Sequence, residues 1–262
     1  MKIAIFNISG NVGKSTLARH LIKPNLPGSK WVLIENINAG DGTPDVQIDS
    51  DDFPKFAAEI ATADPKLHFV VDLGASVSKA MITQLDTLRS ARNRFDYWIV
   101  PVVQLAAGNK ELQDSIQAVS ELIRIGVRQE RIVVIGNNVT SVKTFDNDFQ
   151  VIKEHANNLG ASFCSQAVLH SDAYPGQRHH ALDVISYAES DIDFDALIQG
   201  AKNDDDRLEY ALQQNQHDLC DMAAKNLRAV WKSTPMAAAL KATDAAAQNA
   251  PVAVGKSTNK VA

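Results

Sequence analysis

A glycine-rich stretch near the amino terminus has residue types and spacing that could bind phosphate. Residues 7–16 read Asn-Ile-Ser-Gly-Asn-Val-Gly-Lys-Ser-Thr, between a β-type run at 2–6 and a helix-like run at 16–22. In such a turn, successive backbone N–H groups and the positive end of the helix dipole attract phosphate. Lys14 is expected on the β- and γ-phosphates and the Ser15 hydroxyl on Mg²⁺. The stretch therefore predicts a nucleotide site that is built by Gly10, Asn11, Val12, Gly13, Lys14, Ser15 and Thr16.

The loop departs from the commonest phosphate-binding pattern at one position. The pattern G-x-x-x-x-G-K-[ST] places glycine where Ile8 stands, whereas the glycines here are Gly10 and Gly13. The alternative is a chance Gly-Lys-Ser in a surface turn. The strand pattern before the loop and the helix pattern after it favour the phosphate site.

A second group for a metal ion is predicted where an apolar run ends in a carboxylate. The run Phe69-Val70-Val71-Asp72 is followed by Leu73-Gly74. An aspartate at such a strand end holds Mg²⁺ directly or through water, and a glycine lets the backbone approach a γ-phosphate. The alternative is that Asp72 simply ends a strand. Beside the phosphate loop the functional role is favoured, so Lys14 and Asp72 are the candidate catalytic residues, and Ser15 and Asp72 the candidate metal ligands.

Apolar runs alternate with helical patterns, and this alternation predicts the scaffold that positions these groups. Strands are expected over 2–6, 31–35, 67–72, 97–103, 131–136 and about 161–168, and helices over 14–23, 53–63, 76–93, 109–125 and 146–158. Continuously apolar strands are typical of parallel sheets that are covered on both faces. The predicted fold is therefore α/β, a doubly wound and mostly parallel sheet, with ligands at the carboxyl ends of its strands.

Composition changes along the chain predict three parts. Residues 1–199 are expected to form the nucleotide-binding domain, 200–234 a helical extension and 235–262 a flexible tail that has few large apolar side chains. The chain has 262 residues and a net charge of −5, which is unlike the basic composition of nucleic-acid-binding domains. Two cysteines, no membrane-spanning apolar run and no signal-peptide pattern lead us to expect a cytoplasmic protein with reduced thiols.

Taken together, these motifs resemble those of the ParA/MinD group of P-loop ATPases. The resemblance rests on the loop at 10–16, the Val71-Asp72 strand end and a strand at 96–102 that contains Val100-Pro101. It also rests on Ile132-Val133-Val134-Ile135-Gly136-Asn137-Asn138 and on the segment 166–173. It covers about residues 1–190. Within the group, the chain is most similar to the plasmid stability and conjugal-transfer ATPases StbB and TraL.

The resemblance implies an ATPase that binds ATP and Mg²⁺ and dimerises with nucleotide at the interface. It implies a role in plasmid stability, positioning or conjugal transfer, through a partner protein that binds the DNA. It also implies that Asn137, with Asn138 as the alternate, recognises adenine, and that Asp172 belongs to the adenine-side loop. Peripheral membrane contact is not expected, because the helix around Trp231 has fewer Lys and Arg residues than membrane-binding helices, and Trp231 is expected to pack on the α/β domain.

Two departures from the family pattern affect the expected hydrolysis. Ser9 stands where the family carries a lysine that reaches the phosphates of the partner, and Ile37 stands where it carries a carboxylate that orients the attacking water. Glu35 falls on the other acidic position, and Asp41 is the nearest spare carboxylate, which makes it a further candidate catalytic residue. The expected activity is slow ATP hydrolysis.

Two alternatives remain open at this point. The first is a nucleotide-dependent switch with little or no turnover, which the missing groups at Ser9 and Ile37 would explain. The second is a P-loop kinase of small molecules, which would need an arginine-rich lid over the transferred phosphoryl group. The stretch 89–94, which holds Arg89, Arg92 and Arg94, is the arginine cluster available for that role.

Overall fold

Seven parallel strands form a single sheet in a computed structural model that describes residues 1–36, 44–104, 110–177 and 181–248. The strands are β1 (Lys2–Ile5), β2 (Lys30–Ile34), β3 (Val46–Ile48), β4 (Phe69–Leu73), β5 (Tyr97–Val103), β6 (Ile132–Asn137) and β7 (Ser162–Phe163). Their order in the sheet is β3-β2-β4-β1-β5-β6-β7, and all neighbouring pairs are parallel. Because β1 lies at the centre, the loop that follows it opens at the middle of the carboxyl edge.

Helices cover both faces of this sheet. The first, α1, begins at Lys14–Thr16 and continues as a π-helical segment, Leu17–Ile22, and a 3₁₀ turn, Lys23–Asn25. The others are α2 (Phe53–Thr62), α3 (Ser78–Thr87), α4 (Arg89–Arg92), α5 (Lys110–Arg124), α6 (Phe145–Asn158), α7 (Ala173–Gly176), α8 (Val184–Ala188), α9 (Phe194–Gln199), α10 (Asp204–Lys232) and α11 (Pro235–Gln248). Short 3₁₀ turns precede α2 and β6.

Two apolar cores separate the layers, because side chains along each strand point alternately to opposite faces. Within β1, Ala4 belongs to the core under α2, α3, α5 and α6, whereas Ile3 and Ile5 belong to the core under α1, α8 and α10. Trp98 is fully buried in the first core and Trp31 is 2% exposed in the second. The strands β1, β2, β4, β5 and β6 are therefore buried on both faces, as their continuous apolar runs predict.

The predicted α/β fold with a parallel, doubly wound sheet is confirmed, and the differences lie at its edges. The short strand β3 was not expected, because the acidic run around it reads as a loop. The strand expected over 161–168 is only the two-residue β7, and the helix expected over 76–93 is divided at Leu88. Residues in edge strands and at helix ends bury few side chains in the apolar core, so their sequence shows only a weak apolar pattern.

The carboxyl-terminal helices pack against the same core as the sheet. On α10, the buried residues are Cys220, Ala223, Ala224, Leu227, Val230 and Trp231, which join the core under α1 and α8. Trp231 thus packs inward, as expected. The segment expected as a flexible tail from residue 235 begins with α11, whose Met236 and Ala237 are buried. Among the described residues, none of the helices combines the length and the apolar character that crossing a membrane requires.

Candidate functional site

A cleft of about 430 Å³ opens at the carboxyl edge of the sheet, between the loop after β1 and the ends of β4 and β6. Its volume lies in the range of small-ligand sites. The cleft is lined by the phosphate loop and the start of α1, by Asp72, Gly74 and Ala75, and at its far end by Asn137, Asn138, His170, Ser171, Tyr174 and Pro175. The topology therefore brings the predicted phosphate, metal and base groups to one place.

Buried polar side chains hold the phosphate loop in shape. Asn7, which is fully buried, accepts the Ser9 N–H at 2.8 Å and donates to the Pro101 carbonyl and to the Ser115 hydroxyl, both at 2.8 Å. Gly13 has φ of 78°, a left-handed conformation that favours glycine. The loop is thus tied to β5 and to α5, and its amides are presented to the cleft by a fixed backbone.

Lys14 lies within this loop and is only 5% exposed. Its Nζ donates to the Ser9 carbonyl oxygen at 2.6 Å, so the ammonium folds back across the loop. Burial lowers the pKa of Lys14, while the carboxylates of Asp72 and Glu35 oppose that shift. The side chain therefore stands at the cleft as a cation whose present partner is a neutral carbonyl, which a phosphate can replace.

Ser15 and Asp72 form the metal-side pair that the sequence predicts. The Ser15 hydroxyl donates to Asp72 Oδ2 at 2.6 Å, and Asp72 is 1% exposed. The other carboxylate oxygen, Oδ1, is buried and has no hydrogen-bond partner among the described residues. Burial raises the pKa of Asp72 to about 6, Ser15 and Lys14 oppose this, and Glu35 adds to it. A hydroxyl and a carboxylate with an unsatisfied oxygen are the hard ligands that Mg²⁺ prefers, so these residues fit that ion.

Glu35 forms a second acidic position at the cleft. Its Oε1 accepts hydrogen bonds from the Ser76 hydroxyl and, at 3.0 Å, from the Asn36 N–H. A Cβ added at Gly74 would lie 2.0 Å from Glu35 Oε2, so a side chain there would force Glu35 to move. Glu35 thus reaches over the end of β4 and places a negative charge near both Lys14 and Asp72.

Asn137 and Asn138 occupy different surroundings although they are neighbours in sequence. Asn137, only 4% exposed, donates from Nδ2 to the Val12 carbonyl at 2.9 Å and lies against Gly13, where an added Cβ would be 2.1 Å from Nδ2. Asn138 has φ of 57°, is exposed, and its Oδ1 accepts a hydrogen bond from His170 Nδ1 at 2.8 Å. The first amide therefore supports the phosphate loop, and the second faces the open end of the cleft.

Three residues of this end were not singled out from the sequence. Arg19 and His20 come from the first turns of α1, and Tyr174 comes from α7. His20 accepts the Val184 N–H at Nδ1 at 3.1 Å, and its ring centre lies 5.6 Å from that of Tyr174. Burial, and then the Arg19 charge, lower the pKa of His20 to about 3, so the ring is neutral. For Arg19 and His20 the available signal was a position three and four residues after Thr16, whereas no local pattern singles out Tyr174.

The structure brings most of the site residues predicted from the sequence together in the cleft. Those that line the cleft are Gly10, Asn11, Gly13, Lys14, Ser15, Thr16, Asp72, Asn137 and Asn138. Val12 is buried and contributes its carbonyl to Asn137 rather than a surface to the cleft. The Asp172 side chain is 82% exposed, 3.9 Å from His170 Nε2, and is not part of the cleft lining. Asp41 and Ile37 lie outside the described residues.

The arginine cluster lies away from the cleft. Helix α4 precedes β5 and therefore lies at the edge where the strands begin, opposite the phosphate loop. Arg92 is 3.9 Å from Asp86 and donates to the Leu85 carbonyl. The lid that a kinase would need is thus not provided by this cluster.

No protein-family model and no curated protein matches the chain. Among solved structures, the chain is similar to a McdA variant from Cyanothece in complex with ATP, with 14% identity, a TM-score of 0.46 and coverage of 85% of this chain and 95% of that one. It is also similar to a chain of the MinC:MinD cell division protein complex from Aquifex aeolicus, with 16% identity, a TM-score of 0.48 and coverage of 71% and 87%. A third is a protein named as a plasmid partition protein from Borrelia burgdorferi B31, bound to AMPPNP, with 14% identity, a TM-score of 0.42 and coverage of 82% and 97%. Similarities at this level do not show what the chain does.

Proposed function

We propose that the protein binds ATP and Mg²⁺ in the cleft and uses the nucleotide as a ParA/MinD-type ATPase. The observation that carries the proposal is the Ser15–Asp72 pair beside Lys14, in which one carboxylate oxygen has no partner within the described part of the chain. Mg²⁺ held by Ser15 and Asp72 would satisfy this oxygen and would supply positive charge for the phosphates. It would also reduce the cost of a buried negative charge, which the raised pKa of Asp72 reports.

The proposed nucleotide lies along the cleft with its phosphates at the loop. Lys14 leaves the Ser9 carbonyl for the β- and γ-phosphates, and backbone amides of residues 10–15 surround them. The base then extends to the far end, where Asn138, His170 and Tyr174 offer polar and aromatic contacts. In this arrangement Asn138 reads the base, and Asn137 keeps the loop in place.

Slow hydrolysis is the proposed activity. Ser9 is uncharged, and its carbonyl accepts a hydrogen bond from Lys14 of the same chain. The position of Ser9 therefore offers no lysine side chain to the phosphates bound by a partner chain. Stabilising charge that develops in the transition state is a large part of catalysis, and its loss slows the reaction. We propose Asp41 as the spare carboxylate that orients the attacking water, since Ile37 stands at the position where the family resemblance implies a carboxylate.

The proposed biological role is plasmid stability, positioning or conjugal transfer, of the StbB or TraL kind, through a nucleotide-dependent homodimer and a DNA-binding partner. We assign DNA binding to the partner because carboxylates neutralise several of the separated arginines. Arg124 lies 2.8 Å from Glu121, and Arg128 lies 3.3 Å from Glu130. Non-specific DNA binding needs several unneutralised Lys or Arg contacts.

A titration with ATP tests nucleotide binding. Lys14→Ala is expected to weaken the affinity for ATP and Mg²⁺ by at least about a hundredfold, because a charge-assisted phosphate contact in a partly dry site is lost. Lys153→Ala is the matched control, since its ammonium lies away from the cleft on α6 and contacts a surface carboxylate, Asp146, at 3.1 Å. Unchanged affinity in Lys14→Ala would refute the proposed site.

A phosphate-release assay separates the ATPase from the switch. Low but sustained release that Asp72→Ala abolishes supports hydrolysis. ATP binding without sustained release, with and without DNA and partner proteins, supports the switch instead.

A further inference from the structure

Helix α10 carries an exposed apolar stripe. Leu208, Leu212, Leu219 and Met222 are 61%, 58%, 37% and 71% exposed. Asn215, which is also exposed, lies between them, so the five positions follow one another at spacings of four, three, four and three residues. This spacing places the five side chains on one helix face and is the repeat by which helices pack against other helices.

The stripe is not the face by which α10 joins the domain. That face is formed by Cys220, Ala223, Ala224, Leu227 and Trp231, which are buried in the core shared with α1 and α8. The helix is thus fixed along its carboxyl-terminal half, and its amino terminus is capped by Asn203, whose side chain accepts the Asp206 N–H at 2.8 Å. A rigid helix therefore presents the stripe to solvent.

The charges along α10 indicate what covers the stripe. Residues 204–209 contain four carboxylates and one arginine, whereas residues 222–232 contain Lys225, Arg228 and Lys232 and no carboxylate. Within the chain Arg207 contacts Asp204, Lys225 contacts Asp221 and Arg228 contacts Glu189, so the charge at each end is partly neutralised, and the two ends keep opposite signs. A second α10 that runs antiparallel would bring opposite charges together, and a parallel one would bring like charges together. Complementary charge of this kind selects partner and orientation.

We infer that the stripe is a docking surface for α10 of a second copy of this chain, packed antiparallel about Asn215. In this pairing Leu208 of one copy lies level with Met222 of the other, and Asp205 lies level with Lys225. The two Asn215 side chains meet at the centre, where their amides can bond to each other. A polar residue within an apolar seam fixes such an alignment.

The contact is small and independent of nucleotide. The stripe is about 21 Å long at the rise of an α-helix, so the interface is of the size that gives weak, reversible association. It is distinct from the proposed nucleotide-dependent dimer, and it does not rest on ATP binding. An anionic membrane is a poor partner for the stripe, because residues 204–221 carry six carboxylates and one arginine.

Sedimentation velocity of the nucleotide-free full chain tests the inference. The wild-type chain is expected to shift from monomer to dimer as its concentration rises. The double variant Leu212→Glu/Leu219→Glu should weaken this association at least about tenfold, because it places charge in the apolar seam. Val151→Glu, which charges a residue that is 53% exposed on α6, is the matched control and should dimerise as the wild type does.

Cysteine cross-linking tests the orientation and does not depend on a destabilising variant. A mixture of Leu208→Cys and Met222→Cys chains should form disulfide-linked dimers, and Leu208→Cys alone should not. The two native cysteines are buried and serve as background. The inference is overturned by a wild-type chain that stays monomeric, by efficient self-linkage of Leu208→Cys, or by stripe-dependent flotation with vesicles of phosphatidylglycerol and phosphatidylcholine.

Discussion

At the scale of single residues, the candidate site depends on a buried charge. The pKa of Asp72 is raised from 3.8 to about 6, chiefly by burial. Between these two pH values the native state holds a proton that the unfolded chain has lost, so stability falls as the pH rises through this window. Above about pH 7, where the carboxyl is ionised in both states, the cost is constant at about 3 kcal/mol in the nucleotide-free protein.

Replacing Asp72 should therefore make the folded protein more stable and its Mg²⁺-dependent nucleotide binding weaker. Asp72→Asn is expected to raise the free energy of unfolding at neutral pH by about 1–3 kcal/mol, because no buried carboxylate has to stay ionised. The Mg²⁺-dependent part of nucleotide affinity should fall in the same variant. Urea denaturation and an ATP titration with and without Mg²⁺ measure the two effects. A less stable variant at neutral pH, or one that keeps its Mg²⁺ dependence, would contradict the assignment.

The two neighbouring asparagines offer a matched pair of variants. Asn137→Ala should weaken the binding of ATP, GTP and inorganic triphosphate alike, by about tenfold, because a buried hydrogen bond to the Val12 carbonyl is lost. Asn138→Ala should instead change the preference for ATP over GTP and leave triphosphate affinity unchanged. Competition titrations with the three ligands decide this. If Asn137→Ala affects only the preference for adenine, Asn137 reads the base and the assignment is reversed.

At the scale of elements, the phosphate loop needs glycine for conformation and for space. Gly13 has φ of 78°, and a Cβ there would lie 2.1 Å from Asn137 Nδ2, whereas Gly28 has φ of 74° and nothing within 4 Å of an added Cβ. Gly28→Ala should cost only the left-handed strain of about 1–2 kcal/mol. Gly13→Ala should cost about 1–3 kcal/mol more, because Asn137 must also move. Denaturation curves of both variants measure the difference, and equal costs would show that Asn137 does not press on the loop.

At the scale of the whole molecule, the sequence was most informative where one local pattern decides the structure. The continuous apolar runs predict the buried parallel strands, and the glycine-lysine-serine turn after β1 predicts the phosphate loop. Both depend on a few neighbouring residues. The edge strand β3 could not be predicted, because Val46 is 42% exposed and acidic residues surround it. The different roles of Asn137 and Asn138, and the contribution of His20 and Tyr174 to the cleft, depend on the packing of distant elements.

The central claim is that the loop after β1 and the end of β4 together bind a nucleotide with Mg²⁺. Amide hydrogen exchange of the full chain, with and without ATP and Mg²⁺, tests it most directly because it locates the ligand on the backbone. We expect added protection in peptides that cover residues 7–19 and 69–76, and none in the Lys14→Ala variant. Protection confined to other parts of the chain, or no change in the wild-type protein at saturating ATP, would contradict the claim.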